Sequence, residues 1–187
     1  MDAGSGTGHH LARIAARLPG CVIGLGLDIS KTATRQAARH WPSVAFAVAD
    51  LWAEWPVRDE AVDLVVSILA PRNFPEIARV LRPGGWLALA YPGPGHLIEL
   101  RDRFGLLGQH GESSGRYADM VTRFIGPWSV TRLHRRAVLD PATAHAVIPM
   151  GPNARHVDPA ILDVGPDPLA VTFDLNTLFA RKPERKL

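Results

Sequence analysis

Cysteine is almost absent from this sequence, and long apolar runs are absent altogether. The single cysteine, Cys21, excludes an internal disulfide framework and a zinc site built from several cysteines. No apolar run reaches the roughly 18 residues that span a bilayer. The first residues lack the basic and apolar regions of a signal peptide. These absences predict a cytoplasmic protein without membrane contact.

Lysine is also scarce, with 3 residues against 18 arginines, and the net charge is only +3. This mildly basic balance permits a nucleic-acid partner but does not require one. Apolar residues make up 47% and charged residues 21% of the 187 positions, which suits one packed domain. We therefore expect a single domain over residues 1–187, with a charged, disordered tail at 181–187.

Helices and apolar strands alternate through the first hundred residues. Leu11, Ile14 and Leu18 share one helical face, and Ser30 can cap a second helix. The predicted helices are 11–18, 31–40, 74–81 and 96–105, and the predicted strands are 21–27, 44–49, 63–69 and 86–91. This order predicts an α/β fold with a mainly parallel sheet flanked by helices.

The pattern changes after residue 105. Residues 106–116 and 151–168 are predicted to be loops, and 141–150 a short helix. Segments 129–138 and 169–180 are predicted strands, and we expect the last strand of the sheet to be antiparallel.

A glycine-rich turn at Gly4, Gly6 and Gly8 opens the chain. Such a turn lets the backbone approach a ligand closely. Asp28 follows Gly8 by twenty residues and ends the next strand, where an acid can accept both hydroxyls of a ribose. Asp50 ends the third strand and can accept from the exocyclic amine of adenine. In the alternative interpretation, each acid only ends a strand, and Asp28 also caps the following helix.

Around this turn the sequence reads Asp2-x-Gly4-x-Gly6-x-Gly8, and it resembles the class I S-adenosylmethionine-dependent methyltransferases. An acid beside the turn disfavours a pyrophosphate and suits an amino-acid zwitterion. The Arg82-Pro83-Gly84-Gly85 turn is similar to one in the same superfamily. The resemblance covers roughly residues 1–92 and implies a Rossmann-like methyltransferase fold with S-adenosylmethionine as the cofactor.

A narrower resemblance, to the bacterial 23S rRNA guanine-N1 methyltransferases, rests on five segments. They are residues 26–31, 70–71, 78–85, 92–100 and 150–156. That family includes members that protect ribosomes from macrolide antibiotics. The resemblance implies large-subunit rRNA as the partner. We expect neither DNA nor a membrane as a partner. The family's N-terminal zinc module has no counterpart here, so we expect it, and most of the first strand, upstream of Met1.

The resemblance also implies positions around the cofactor. They are Asp2, Gly4, Thr7, Gly8, Asp28, Ile29 and Asp50, with His96 near the methionine end. Gly6 belongs to the same turn, and Leu51 would oppose Ile29 across the adenine ring. No metal site is expected, because the adjacent His9 and His10 do not converge on a helix.

The segment 67–73 follows the fourth strand, which would place it beside the transferred methyl group. Ser67 is therefore a candidate cofactor contact, while Arg72 and Asn73 are candidates for contacts to the guanine or a phosphate. His156 and Asp119 are possible proton acceptors if later loops fold back, and no residue is assigned as the base. Arg132, Arg135 and Arg136 form the densest basic cluster, which is either a phosphate contact or a solvated strand face.

These observations predict methyl transfer from S-adenosylmethionine to N1 of a guanine in 23S rRNA. Two alternatives stay open. One is a methyltransferase that acts on a small molecule, and the other is a truncated fragment that binds cofactor or a partner without catalysis. A homodimer is a further expectation.

Overall fold

A computed structural model describes residues 1–18, 22–106, 114–148 and 163–185. The expectations for His156 and for the matching segment 150–156 lie outside these residues. The strands are β1 (Asp2–Ala3), β2 (Leu25–Asp28), β3 (Ala45–Val48), β4 (Val62–Ile68), β5 (Leu81–Pro92), β6 (Trp128–Leu139) and β7 (Leu169–Arg181). The helices are α1 (His9–Ala15), α2 (Lys31–His40), α3 (Phe74–Val80), α4 (Ile98–Phe104), α5 (Ser114–Phe124) and α6 (Pro141–Val147).

The strands form one seven-stranded sheet in the order β3-β2-β1-β4-β5-β7-β6. The first five strands of this order, from β3 through β2, β1 and β4 to β5, pair in parallel. Strands β5, β7 and β6 pair antiparallel to one another in turn. Asp2 in β1 lies opposite Gly26 of β2 and Val66 of β4. The two-residue strand β1 therefore lies between β2 and β4 and pairs with both. The predicted mainly parallel fold with an antiparallel end is confirmed.

The described chain divides into two compact units. Unit 1 comprises residues 1–91, 116–130 and 177–187, and its core includes the fully buried Leu27, Val65 and Leu87 of the sheet. Unit 2 comprises residues 92–115 and 131–176, and its core includes Leu100, Ala144 and Val171.

Side-chain caps begin three of the helices near their predicted starts. Ser30 Oγ accepts from the Ala33 amide at α2, Asn73 Oδ1 from Glu76 at α3, and Asp140 Oδ1 from Thr143 at α6. Such caps satisfy amide groups that the first helical turn leaves unpaired. Among the described residues, no helix has both the length and the apolar character needed to cross a bilayer.

Helix α5 is the main element that the sequence reading missed. The prediction gave residues 106–116 as loop and assigned nothing to the following segment. In the structure, α5 places Tyr117 and Val121 against the core of unit 1, with Ile125 just beyond its end. These residues, together with Met120 and Phe124, follow one another at the spacing of one helical face. The apolar periodicity of the sequence therefore indicates α5.

Two residues of the C-terminal tail make specific contacts in unit 1, and the disorder expected for 181–187 stays a prediction. Lys182 Nζ donates to the carbonyl oxygens of Ala78 and Leu81 at 2.8 and 2.7 Å. Arg185 Nη2 lies 2.7 Å from Glu60 Oε2. The described part of the tail, to residue 185, is therefore attached to α3 and its surroundings.

Candidate cofactor site

A cavity of about 280 Å³ lies at the carboxyl ends of β1 to β4 in unit 1. Its lining consists of Gly4, residues 28–29, residues 50–52 and residues 68–71. Open parallel sheets bind ligands at this edge, because the loops after the strands leave a crevice there. The structure thus brings together Gly4, Asp28, Ile29, Asp50 and Leu51, as the sequence predicted.

The glycine turn, residues 4–8, closes one side of this edge. The amides of Gly4 and Ser5 both donate to the Leu27 carbonyl, at 2.8 and 3.0 Å, which ties the turn to β2. Gly4, Gly6 and Gly8 have φ values of 90°, 52° and 78°, a region that residues with a Cβ rarely adopt. A Cβ on Gly4 would also collide with Ala70, so only glycine allows the two segments to approach this closely.

Asp28 connects the glycine turn with the start of α2. Its Oδ2 accepts from the Gly6 amide and its Oδ1 from the Ser30 amide, both at 2.8 Å. The bond from the Ser30 amide lies beside the Ser30 cap of α2. Asp28 therefore also helps to cap this helix, as the alternative interpretation proposed. A carboxylate has about four lone-pair sites, so these two bonds leave acceptor capacity for a ribose.

Asp50 and its neighbours form the other wall of the cavity. Asp50 is exposed, and its Oδ1 accepts from the Trp52 amide at 2.9 Å. The apolar side chains of Ile29 and Trp52 are 69% and 67% exposed. Two exposed apolar surfaces beside an acceptor suit a flat heterocycle with an amine at its edge. Trp52 was missed by the sequence reading, although it follows Asp50 and Leu51 directly.

Two buried polar groups in the strands of this edge have an unfilled bonding capacity. Asp2 is 2% exposed and Ser67 is fully buried. Within the described chain, Asp2 Oδ1 and Ser67 Oγ have no hydrogen-bond partner. Burial raises the pKa of Asp2 to about 6, and the Asp28 carboxylate adds to the rise. Buried polar atoms are almost always bonded, so both atoms have capacity to accept from a donor, although neither residue is among those that line the cavity.

Comparison with known proteins agrees with this geometry. Residues 1–85 match the family described as "Methyltransferase domain". A Micromonospora griseorubida protein, provisionally named a 23S rRNA (guanine-N(1)-)-methyltransferase, is 44% identical over 87% of this chain and 55% of its own length. The 23S rRNA (guanine(748)-N(1))-methyltransferase of Streptomyces fradiae is 43% identical over 85% of this chain and 56% of its own length. The chain belongs to the class I S-adenosylmethionine-dependent methyltransferases.

A solved structure supports the methyltransferase fold independently. A Bacillus halodurans protein, described provisionally as a methyltransferase, superposes with a TM-score of 0.64 at 15% identity, over 97% of this chain and 91% of that chain. At this identity the likeness concerns the fold alone. The chain spans about half the length of the two curated relatives it matches.

The remaining residues of the glycine turn contribute to this methyltransferase through the backbone. The Gly6 amide binds Asp28, and the carbonyl of the exposed Thr7 accepts from Trp41 Nε1 at 3.1 Å. Gly8 packs so closely on Phe46 that a Cβ would overlap its ring. These contacts hold the turn in shape, while direct contacts of Gly6, Thr7 and Gly8 to the cofactor stay predictions.

The candidate substrate residues of the methyltransferase are already engaged within unit 1. Arg72 donates to the Tyr117 hydroxyl and the Ala90 carbonyl, at 2.6 and 2.9 Å. Asn73 caps α3 and also donates to the Trp52 carbonyl at 3.3 Å. Both residues therefore fix the loop after β4, and a contact of either one to guanine stays a prediction. Asp119 is exposed on α5.

His96 lies in unit 2, next to the buried acid Asp174. Asp174, with a fully buried side chain, accepts from the Gly95 amide at 2.9 Å and from Arg132 at 2.7 and 2.8 Å. His96 Nδ1 accepts from the Asp174 amide at 3.3 Å, and burial lowers the pKa of His96. Because Nδ1 accepts this bond, a neutral His96 would carry its proton on Nε2. Its predicted place near the cofactor's methionine end stays a prediction.

Proposed function

We propose that this chain transfers a methyl group from S-adenosylmethionine to N1 of a guanine in 23S rRNA. The proposal rests on relatives at 43–44% identity over most of the chain whose names state this activity. The acidic, partly apolar cavity at the carboxyl ends of β1 to β4 supports the cofactor half of the proposal.

The cofactor's three parts match three groups of residues. Asp28 would accept the ribose hydroxyls, and Asp50 the adenine amine. Ile29, Leu51 and Trp52 would contact the adenine ring. The unpaired Oδ1 of Asp2 would accept from the methionine ammonium group. An anion in this place also disfavours a dinucleotide, because its pyrophosphate would be repelled.

Bound S-adenosylmethionine supplies an activated methyl group on a sulfonium sulfur. In the reaction the carbon–sulfur bond breaks, a carbon–nitrogen bond forms at N1, and the N1 proton leaves to an acceptor. The protein's main task is to hold the guanine in line with that methyl group, and such orientation is worth roughly 7–11 kcal/mol. His96 already accepts a hydrogen bond at Nδ1, so this atom is not available as the proton acceptor in the present arrangement.

Methyl transfer to a 23S rRNA transcript tests the proposal. We expect radiolabel from S-adenosylmethionine to enter the RNA at one guanine. Reverse transcription should stop there, because a methyl group on N1 blocks Watson–Crick pairing. Asp28→Ala should lower the rate at least about tenfold, as expected for losing a charged hydrogen bond of roughly 1.5–3 kcal/mol.

Asp63→Asn is the matched control, since Asp63 is an exposed β4 acid paired with Arg82 outside the cavity. It should keep the wild-type rate. Label in a small acceptor but not in RNA, with a rate insensitive to salt, would contradict the RNA substrate. Cofactor binding without transfer to any acceptor would favour a non-catalytic fragment.

Three finer expectations belong to the same proposal. RNA binding should weaken as salt rises, because phosphate contacts release counterions. A host that produces the chain should tolerate macrolides better if the modified guanine lies at their binding site. A homodimer should appear in sedimentation as a species of twice the chain's mass.

A further inference from the structure

Helices α1 and α2 present five cations that have no acidic partner among the described residues. Arg13 lies in α1, Arg17 in the turn after it, and Lys31, Arg35 and Arg39 in α2. All five side chains are exposed. Between Asp2 and Asp50 the sequence has one acid, Asp28, and its carboxylate binds the amides of Gly6 and Ser30.

The topology of unit 1 places the two helices on the same face of the sheet. Helix α1 connects β1 to β2, and α2 connects β2 to β3, which are successive parallel neighbours in the sheet order. Right-handed crossovers in one direction put their helices on one side. The rings of His9 in α1 and Trp41 after α2 lie 6.4 Å apart, which confirms that the helices are adjacent. The five cations therefore belong to one surface, here called the α1–α2 face.

The spacing of these charges and the position of Lys31 are unfavourable for the helices. Lys31, Arg35 and Arg39 follow one another at a spacing of four residues, as do Arg13 and Arg17, so like charges are neighbours on the helix surface. Neither helix has an acid in its first turn, and Lys31 is the first residue of α2, where the helix dipole disfavours a cation. A bound polyanion would relieve both effects.

Four other cations of unit 1 have acidic partners within the chain. Arg79 pairs with Asp59 and Glu76, Arg82 with Asp63, Arg181 with Glu184, and Arg185 with Glu60. In unit 2, Arg132 from the densest basic cluster of the sequence pairs with the buried Asp174. The α1–α2 face thus differs from these regions by its lack of compensating acids, and not by its number of cations.

We propose that the α1–α2 face binds the phosphate backbone of the RNA substrate. The inference rests on the proposed function and specifies which surface carries the substrate's charge. Lys31 lies two residues after Ile29, which lines the cavity, and Arg39 lies two helical turns further along α2. The row of cations in α2 therefore starts beside the cofactor site and extends away from it, as a strand of RNA with one nucleotide in the site requires.

The test compares two variants with the same loss of charge. Lys31→Gln/Arg35→Gln/Arg39→Gln removes the α2 row, and Arg82→Gln/Arg181→Gln/Arg185→Gln removes three ion-paired cations elsewhere in unit 1. Binding of a 23S rRNA transcript is measured by filter binding from about 50 to about 300 mM KCl. Calorimetric titration with S-adenosylhomocysteine and thermal melting are measured in parallel.

We expect the α2 variant to bind RNA at least about tenfold more weakly and to lose about 2 from the slope of log K against log salt, since each lost phosphate contact accounts for roughly 0.7–0.9. Its affinity for S-adenosylhomocysteine and its melting temperature should not fall. The control variant should keep the wild-type slope. Equal slopes for all three proteins, or equal losses in both variants, would overturn the inference.

The two proposals fail in different ways. If the wild-type chain methylates 23S rRNA while the α2 variant keeps its affinity and slope, the α1–α2 face is wrong and the proposed function stands. If the wild-type chain binds S-adenosylhomocysteine but no RNA, both the RNA substrate and this surface are wrong.

Discussion

At the scale of single residues, Asp2 combines burial, an unpaired carboxylate oxygen and a raised pKa. It is almost fully buried, its Oδ1 lacks a partner, and its pKa is raised to about 6 because burial penalises the charge. A carboxylate in such a position would be stabilised by a cationic ligand, so Asp2 is a candidate functional residue. In the free protein the raised pKa also means that Asp2 destabilises the fold as pH rises from about 4 to 6.

The affinity for S-adenosylhomocysteine should therefore depend on pH through Asp2. Below pH 6 the carboxyl is protonated and cannot pair with the ligand's ammonium group, so the affinity should rise about tenfold between pH 5 and pH 7. Asp2→Asn should bind more weakly at pH 7 and show a flatter profile. Calorimetric titration at several pH values measures both. An unchanged profile in the variant would exclude Asp2 as the group that pairs with the ammonium.

At the scale of elements, buried polar contacts in unit 2 hold β7 to the turn after β5. Asp174 of β7 binds the Gly95 amide and the Arg132 guanidinium, and a Cβ on Gly93 would collide with its carboxylate. The glycines of the Pro92–Gly95 segment are thus explained by the close approach of this acid. Hydrogen bonds from Arg132 are the main reason that the pKa of Asp174 is lowered to about 2.

The contribution of Asp174 to stability should vanish in acid. Because its folded pKa lies below the unfolded value of 3.8, its contribution of about 2 kcal/mol is complete above pH 4 and is lost as pH falls toward 2. Asp174→Asn should melt at a lower temperature at pH 7 and depend less on pH in that range. Asp102→Asn, an exposed change on α4, should melt like the wild type. Identical pH profiles for all three proteins would contradict this assignment.

At the scale of the whole molecule, the sheet creates a site that no single element contains. The cavity takes residues from the ends of four strands, and its two acids come from the end of β2 and from the second residue after β3. A ligand that binds only the folded state must stabilise the chain by mass action.

S-adenosylhomocysteine should therefore raise the melting temperature, with a gain of about 2.7 kcal/mol at a ligand concentration 100 times the dissociation constant. NAD is the matched control, because its pyrophosphate would meet the buried Asp2, and it should give no shift. Thermal melts with a calorimetric titration at 25 °C measure the effect. No heat and no shift at high micromolar S-adenosylhomocysteine would contradict the cofactor assignment.

The sequence predicted the cavity well because its acids depend on local order. Asp28 and Asp50 follow apolar runs, and the carboxyl ends of neighbouring parallel strands must meet at one edge. It failed to find Trp52 because exposure of a tryptophan depends on surrounding segments, and it missed α5 because the glycines and serines before it suggested a longer loop. The sequence analysis named the basic cluster that lies on β6 and did not identify the α1–α2 face.

The order of apolar runs, glycines and acids alone determined the fold class, the family and the edge that carries the candidate cofactor site, since these depend on spacing along the chain. Only the tertiary structure decided which charged groups are neutralised. Arg132 meets an acid 42 residues away, while the α2 cations meet none in the described chain. Ion pairing over such separations depends on how strands align in the sheet, and residue spacing does not encode that alignment.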